Sequence, residues 1–325
     1  MAKIRFLAVV ACCAVVATAC SSSNSGSSGG SGGGTTSITV GTAPALSNLG
    51  LYLAASPGGG QFAKNHLEMT PKVVQSGAQA IPLLLNGQLQ FTAGDTAGTM
   101  VAIANHIPLV IVASGNVAGQ DATHDDTGLI VKADSGIGSA SDLSGKTVAV
   151  NALNGTAEIA AKAAIDKSGG DSSKIKFVEL PIPDMQAAVQ NGTVNGAVTA
   201  EPFLTAAVGA GLKFLLPAMS VAMPGVPQSV YLTSKSYAAA HPEVVKAFQQ
   251  AITAANRQLT SDPSLIKAVA AKSTTITPTV LSKIVLPVFN PPMVAVTTLE
   301  SLQELMVKYG ALKATYDLAP FVFTG

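Results

Sequence analysis

From Thr36 onward, short apolar runs bounded by polar turns alternate with longer stretches whose apolar residues recur at helical spacing. The runs at 37–40, 91–93 and 109–113 read as strands, and a further strand ends at Val73-Val74. Between them lie amphipathic helices. Asn48 opens one that carries Leu49, Leu51, Tyr52 and Leu53, with Ser47 as its N-cap. Ser76-Gly77 opens a second with Ile81, Leu84 and Leu85, and Asp95-Thr96 caps a third that runs to Ala104. A strand at 128–131 follows a polar loop at 120–126. The programme restarts at Leu143 with strands at 147–150, 175–180 and 213–216. Its helices open at Asn154-Gly155-Thr156 and at Asp184. On the first of these, Glu158, Lys162 and Asp166 recur every fourth residue and predict a solvated stripe. After a strand at 229–233 the chain reads as helical, at 242–259, 263–271 and 299–309. Such alternation with short links predicts an α/β fold of parallel sheets flanked by helices.

One corner is written twice. In LLLNGQLQFTAGD (83–95), a helix ends at Asn86-Gly87 and a short strand leads to Asp95. In VQNGTVNGAVTAEP (189–202), a helix ends at Asn191-Gly192 and a strand leads to Glu201-Pro202. Asn-Gly lets a helix close in a left-handed turn. The two corners predict two similar lobes, with Asp95 and Glu201 at the C-terminal edges of their sheets, where α/β folds bind ligands. The segments 132–141 and 223–228 lack periodicity and are the expected crossovers and hinge. The expected lobes are 37–134 with 228–325, and 135–227.

The first residues follow different rules. Lys3 and Arg5 precede an apolar run from Phe6 to Ala19, of signal-peptide length and too short to span a bilayer. It ends Ala17-Thr18-Ala19-Cys20, which resembles a bacterial lipobox and makes Cys20 the expected lipidation site. A tract of almost pure Ser and Gly follows, a flexible tether by composition. The expected division is a signal peptide over 1–19 and an anchor with tether over 20–36. That places the protein outside the cytoplasm, on the outer face of a bacterial membrane. Cys12 and Cys13 leave with the signal, so the mature chain keeps neither disulfides nor thiol chemistry. The whole chain carries 19 Lys and Arg against 18 Asp and Glu, with no basic footprint for nucleic acid. Arg5 and Arg257 are the only arginines, and Trp is absent.

Candidate chemistry is sparse. Ser144-Gly145-Lys146-Thr147 ends like a phosphate-binding loop, but Ala140 stands where the earlier glycine is required, and the segment precedes a strand. Gly26-Ser27-Ser28-Gly29-Gly30 matches a hydrolase elbow only as part of the Ser/Gly tract. The loop with Asp121, His124, Asp125 and Asp126 lacks metal-ligand spacing, so no metal or cofactor is expected. Helix starts carry more information. Ser47-Asn48, Ser76-Gly77, Asp95-Thr96 and Asn154-Gly155-Thr156 each offer side-chain oxygens, free amides and the positive end of a helix. Several such ends meeting at a cleft make a polar pocket.

Residues 142–202, DLSGKTVAVNALNGTAEIAAKAAIDKSGGDSSKIKFVELPIPDMQAAVQNGTVNGAVTAEP, resemble the nitrate/sulfonate/taurine family of ABC-transporter substrate-binding proteins, which includes thiamine-pyrimidine binders. The resemblance rests on the order Asp-Leu-x-Gly-Lys, strand, Gly/Thr helix start, Leu-Pro strand, helix, Gly, and a strand ending Glu-Pro. APALSNLGLYLA and the segment 229–256 extend it to roughly residues 37–260. It implies a two-lobed, periplasmic-binding-protein-like fold of type II with two crossover strands. It further implies a monomer that closes on a small solute and hands it to membrane-embedded permease subunits. By position it points to Ser47, Asn48, Ser76, Gly77 and Asp95, and to Thr96, Asn154, Thr156 and Glu201, as pocket residues. With no Arg near a helix start and two carboxylates in the pocket, an amine- or amide-bearing solute suits the site better than a bare oxyanion. Tyr52, Phe203 and Tyr231 are candidates for an aromatic wall. The other readings are a pyrimidine-precursor synthase of the same fold, for which the mature chain lacks reactive Cys or clustered His, and a sensory surface protein without transport.

Overall fold

The computed structural model describes residues 34–325 except 44, 59, 75, 76, 291 and 292. The signal segment, Cys20, most of the tether and Ser76 lie outside the described residues. Residues 34–325 form one compact unit built round two five-stranded sheets.

The first sheet contains β1 (Thr36–Thr42), β2 (Leu67–Val73), β3 (Phe91–Asp95) and β4 (Leu109–Ser114). The second contains β5 (Thr127–Lys132), β6 (Thr147–Val150), β7 (Lys176–Glu179), β8 (Gly196–Ala200) and β9 (Leu212–Pro217). The chain then returns, and β10 (Ser229–Ser234) inserts into the first sheet. The strand orders are β2-β1-β3-β10-β4 and β7-β6-β8-β5-β9. They are the same order, with β10 in one sheet and β5 in the other as the fourth strand. Each of these two runs antiparallel to both neighbours, and the remaining pairs are parallel. The sheets are therefore mixed where alternation alone predicted parallel ones. A strand arriving from the other sheet is free of the right-handed crossover that keeps consecutive βαβ strands parallel.

The repeated corners occupy matching places. Helix Gly77–Leu85 leads through Gly87 (φ +79°) into β3, and helix Ile182–Gln190 leads through Gly192 (φ +73°) into β8. Both glycines adopt the left-handed conformation that closes a helix.

The strand β5 pairs with β8 and β9, so the chain changes sheets between Ser114 and Thr127 rather than at 132–141. It returns between Pro217 and Ser229. Five of the six β5 residues are buried, because the strand runs inside the second sheet. The two crossings lie side by side and antiparallel. Val117 bridges Pro227, Ala118 N donates to Val226 O (2.8 Å), and Gly225 N donates to Ala118 O (3.0 Å).

An aromatic stack fixes the first sheet against helix Pro242–Ser261. Phe248 of that helix is fully buried, lies 3.9 Å from the Phe91 ring and nearly parallel to it, and also meets Phe62 and Tyr231. Phe91 begins β3, so the stack sets the strand that ends at Asp95. On helix Thr156–Lys167 the expected solvated stripe is in part interior. Glu158 is buried, where it accepts from Asn154 N (2.6 Å) and pairs with Lys162 (2.5 Å). Asp166 accepts from Ser172 N and from the Tyr309 hydroxyl, which covers that face.

Candidate functional site

A cleft of about 690 Å³ opens at the C-terminal ends of β1, β3, β6, β7 and β8, so both sheets contribute to it. That volume lies within the usual range for small-molecule pockets. The first-sheet side brings Thr42, Ser47, Asn48 and Asp95, and the second-sheet side brings Asn151, Thr156, Glu179, Glu201 and Phe203. Asn116 and Gln228, from the two crossings, line it together with Asp126 and Thr127. Thr274, Thr275 and Ile276 reach it from the C-terminal helical region.

Of the residues expected in the pocket, Ser47, Asn48, Asp95, Thr156 and Glu201 line the cleft. Asn48 is buried. Its Nδ2 donates to Ala43 O (2.9 Å), which shapes the loop after β1, and neither Ser47 nor Asn48 caps the following helix through its side chain. Thr96 is fully enclosed, its Oγ1 without a hydrogen-bond partner, and does not line the cleft. Its side chain is turned inward by the helix that Asp95 caps. Asn154 is exposed at φ +60° and supplies a turn, its amide bound to Glu158. Gly77 opens helix Gly77–Leu85. Of the aromatic candidates, Phe203 lines the cleft. The Tyr52 hydroxyl instead donates to Ala43 O, and Tyr231 is buried in the aromatic stack.

Asp95 ties the two sheets together. Its Oδ1 accepts from Gly98 N (2.7 Å), which caps helix Thr96–Ala104. The same carboxylate accepts from Thr156 N (3.2 and 3.1 Å), at the start of helix Thr156–Lys167. Thr156 Oγ1 in turn accepts from Ala97 N (2.9 Å). Two helix N-termini from different sheets thus share one carboxylate. Burial pushes the Asp95 pKa up, and the bonds from Gly98 and Thr156 pull against that shift.

Asp126 forms the floor. It accepts from Gln228 Nε2 (2.9 Å), Asn116 Nδ2 (3.0 Å) and Thr127 Oγ1 (3.1 Å), and so holds both crossings to the start of β5. Glu201 stands beside it, its amide donating to Asp126 O (2.8 Å). The Glu201 carboxylate accepts from Thr205 Oγ1 (2.8 Å), Thr205 N (3.1 Å) and Val285 N (3.1 Å). Burial raises the pKa of both acids, and the neighbouring Asp126 charge raises that of Glu201 further.

Sequence reading missed Asn116, Asp126, Gln228 and Glu179. Asp126 sat inside a polar loop that the fold divides. Asp121 and His124 pair on the surface at 2.9 Å, while Asp125 and Asp126 turn inward. Among the described residues, no three His, Cys, Asp or Glu side chains come together as metal ligands. Two adjacent acids followed by a buried-type strand were the available signal, because carboxylates entering a core strand must find donors.

Asp125 gives the fold a pH dependence. It is 2 % exposed and accepts from Ser220 N (2.7 Å), Ser220 Oγ (2.8 Å) and Thr127 N (3.1 Å). Burial nonetheless pushes its pKa up to about 6, helped by the charge of Asp126. A group whose folded pKa exceeds its unfolded one takes up its proton first in the folded state. Stability therefore rises as pH falls from 7 through 6 towards 4, by about 1–3 kcal/mol for this group. Asp95, Asp126 and Glu201 are shifted the same way. Asp121, Asp142 and Asp171 are shifted down, so their contributions are lost only at still lower pH. Calorimetric melting of the solute-free protein is expected to peak at roughly pH 4.5–5.5, several degrees above its value at pH 7.5. Asp125→Asn should flatten that profile, and an unchanged profile would dissociate Asp125 from it.

Two sheets of identical strand order, joined by paired crossings and flanking a polar cleft, define a two-lobed fold of the periplasmic-binding-protein type. The chain belongs to the NMT1/THI5-like family, whose model matches residues 47–265. The resemblance drawn from residues 142–202 to this group of ABC-transporter substrate-binding proteins therefore holds. The chain is 28% identical over 191 residues to the taurine-binding periplasmic protein of Escherichia coli (strain K12), a match spanning 58% of this chain and 57% of that protein. In fold it is similar to the periplasmic aliphatic sulphonate binding protein SsuA from Escherichia coli, with a TM-score of 0.70 at 18% identity, covering 89% of this chain and 92% of SsuA. It is also similar to the periplasmic nitrate-binding protein NrtA from Synechocystis PCC 6803, with a TM-score of 0.72 at 12% identity, covering 87% of this chain and 84% of NrtA.

Proposed function

We propose that the protein is the solute receptor of an ABC importer. It captures a small polar organic solute between its lobes and delivers it to permease subunits. Cys20 and the Ser/Gly tether hold it, as a monomer, on the outer face of the membrane, and it performs no chemistry. The lobes we assign follow the sheets, with a hinge in the paired crossings 115–126 and 218–228. The observation that carries this reading is the acid-lined cleft shared by both sheets. Solute binding energy then favours the closed arrangement over the open one. The relatives named for taurine, sulphonate and nitrate support a range of small solutes of that kind. Within that range the four carboxylates Asp95, Asp126, Glu179 and Glu201 favour a nitrogen-bearing member. A second reading, a pyrimidine related to thiamine precursors, draws on the same acids and on Phe203 as an aromatic wall.

The test is a thermal-shift screen of the mature chain with an anionic half (ethanesulfonate, nitrate) and a nitrogenous half (taurine, ethanolamine, methylguanidine, aminopyrimidines). Calorimetry of any hit follows. Micromolar affinity, about −8 kcal/mol, is the expected scale. Failure of every compound to raise the melting temperature would remove the receptor reading.

A further inference from the structure

Among the described residues that line the cleft there is no Lys, Arg or His, so an oxoanion entering it meets no cationic side chain. It would depend on uncharged polar side chains and backbone amides, and at the two helix starts the chain's own carboxylates already hold several of those amides. Glu179 accepts from Leu153 N (3.4 Å), Glu158 from Asn154 N (2.6 Å), and Asp95 from both Thr156 N and Gly98 N. The two amides between Asp95 and Gly98 are also engaged, Thr96 N by Gln228 O (3.3 Å) and Ala97 N by Thr156 Oγ1. Asp95 is the member of this set that faces both helices and also lines the cleft. Helix N-termini attract anions, and here the anion is part of the protein.

We propose that Asp95 determines specificity: it occupies the place an oxoanion would take, so that the cleft selects a small organic cation bearing an ammonium, amidinium or guanidinium group. The remaining acceptor capacity supports this choice. Asp126 and Glu201 each accept three hydrogen bonds. A carboxylate has about four lone-pair sites, so each retains one for a donor on the solute. A cation would also relieve the mutual repulsion of Asp126 and Glu201, whereas an added anion would meet four carboxylates and no counter-charge. A zwitterion such as taurine is then held chiefly by its amine.

This inference rests on the receptor reading above, and the experiment separates the two. Calorimetry of the mature wild-type chain is carried out with ethanolamine, methylguanidine, taurine and ethanesulfonate. It is repeated with Asp95→Asn and Asp95→Ser, both of which keep a capping oxygen without charge. In the wild type the best cation is expected to bind at least tenfold more tightly than ethanesulfonate. In both variants that ratio should fall at least tenfold, through weaker cation binding and newly gained ethanesulfonate binding. The readout is a ratio within one protein, which a partial loss of folded material leaves unchanged. Wild-type binding of ethanesulfonate as tight as that of the cations, or a ratio unmoved in both variants, overturns the role of Asp95 but leaves the receptor reading intact. Absence of binding by all four compounds to all three proteins overturns the inference, and absence across the full screen overturns the receptor reading as well.

Discussion

Phe248→Ala is expected to lower stability by about 3–5 kcal/mol, the usual cost of removing a fully buried aromatic ring and leaving its cavity. The magnitude follows from the surroundings. The ring has no exposed surface and is nearly parallel to Phe91 at 3.9 Å. Phe62 stacks on it at 5.4 Å, and Tyr231 meets it edge-on at 5.8 Å. These four residues come from a helix near Gln61, from β3 and β10, and from helix Pro242–Ser261. No single neighbour can move to refill the space without leaving its own element. For a chain of this size each kcal/mol shifts the melting temperature by roughly 2–4 °C, so a fall of about 6–20 °C should be seen by calorimetry. The far-ultraviolet dichroism at 20 °C should be retained, since total stability commonly reaches about 5–15 kcal/mol. A fall below about 2 °C would mean that the stack does not carry the core. The effect should extend to the cleft, because Phe91 and Asp95 are the two ends of one five-residue strand.

The order of elements was legible in the sequence because each signal was local. The Asn-Gly corners, the Asp95 cap and the helical spacing of apolar residues each act within one turn or one strand, and all reappear in the fold. What escaped depends on contacts distant in sequence. The run 128–131 reads correctly as a buried strand, but periodicity does not say which sheet buries it. Its neighbours are residues 196–200 and 212–217, and with them the crossover moves from 132–141 to the preceding polar loop. Glu158 looked solvated because its burial comes from the turn at Asn154. Thr96 looked available because it follows a cleft-facing cap, yet the first turn of its helix rotates it inward. Half of the cleft was visible as strand ends and helix starts. The floor was not, because Asn116, Asp126 and Gln228 become a group only when the two crossings lie together.

Glu201→Gln is expected to weaken binding of an amine solute by about 10–100-fold, as for loss of one charge-assisted hydrogen bond. The substitution preserves shape and changes charge. Thr205 Oγ1 can donate to the new amide oxygen or accept from its nitrogen, whereas Thr205 N and Val285 N can only donate. One of those two backbone bonds is therefore lost. Against that loss, burial and the nearby Asp126 disfavour the charged form of Glu201, so removing the charge stabilises the folded chain at pH 7.5. The two effects offset, and the melting temperature of the solute-free variant should stay within about 1 kcal/mol of the wild type, or roughly 2–4 °C. Binding and stability thus separate. A carboxylate held against its own tendency to take up a proton is unfavourable for folding and favourable for meeting a cation, because the solute supplies the charge that the protein withholds. Calorimetric titration of both proteins with the same amine, beside melting curves without it, reads the two quantities independently. Equal affinities would remove Glu201 from the recognition of the solute. A large fall in melting temperature would make it chiefly a structural tie between helix Phe203–Gly209 and the backbone at Val285.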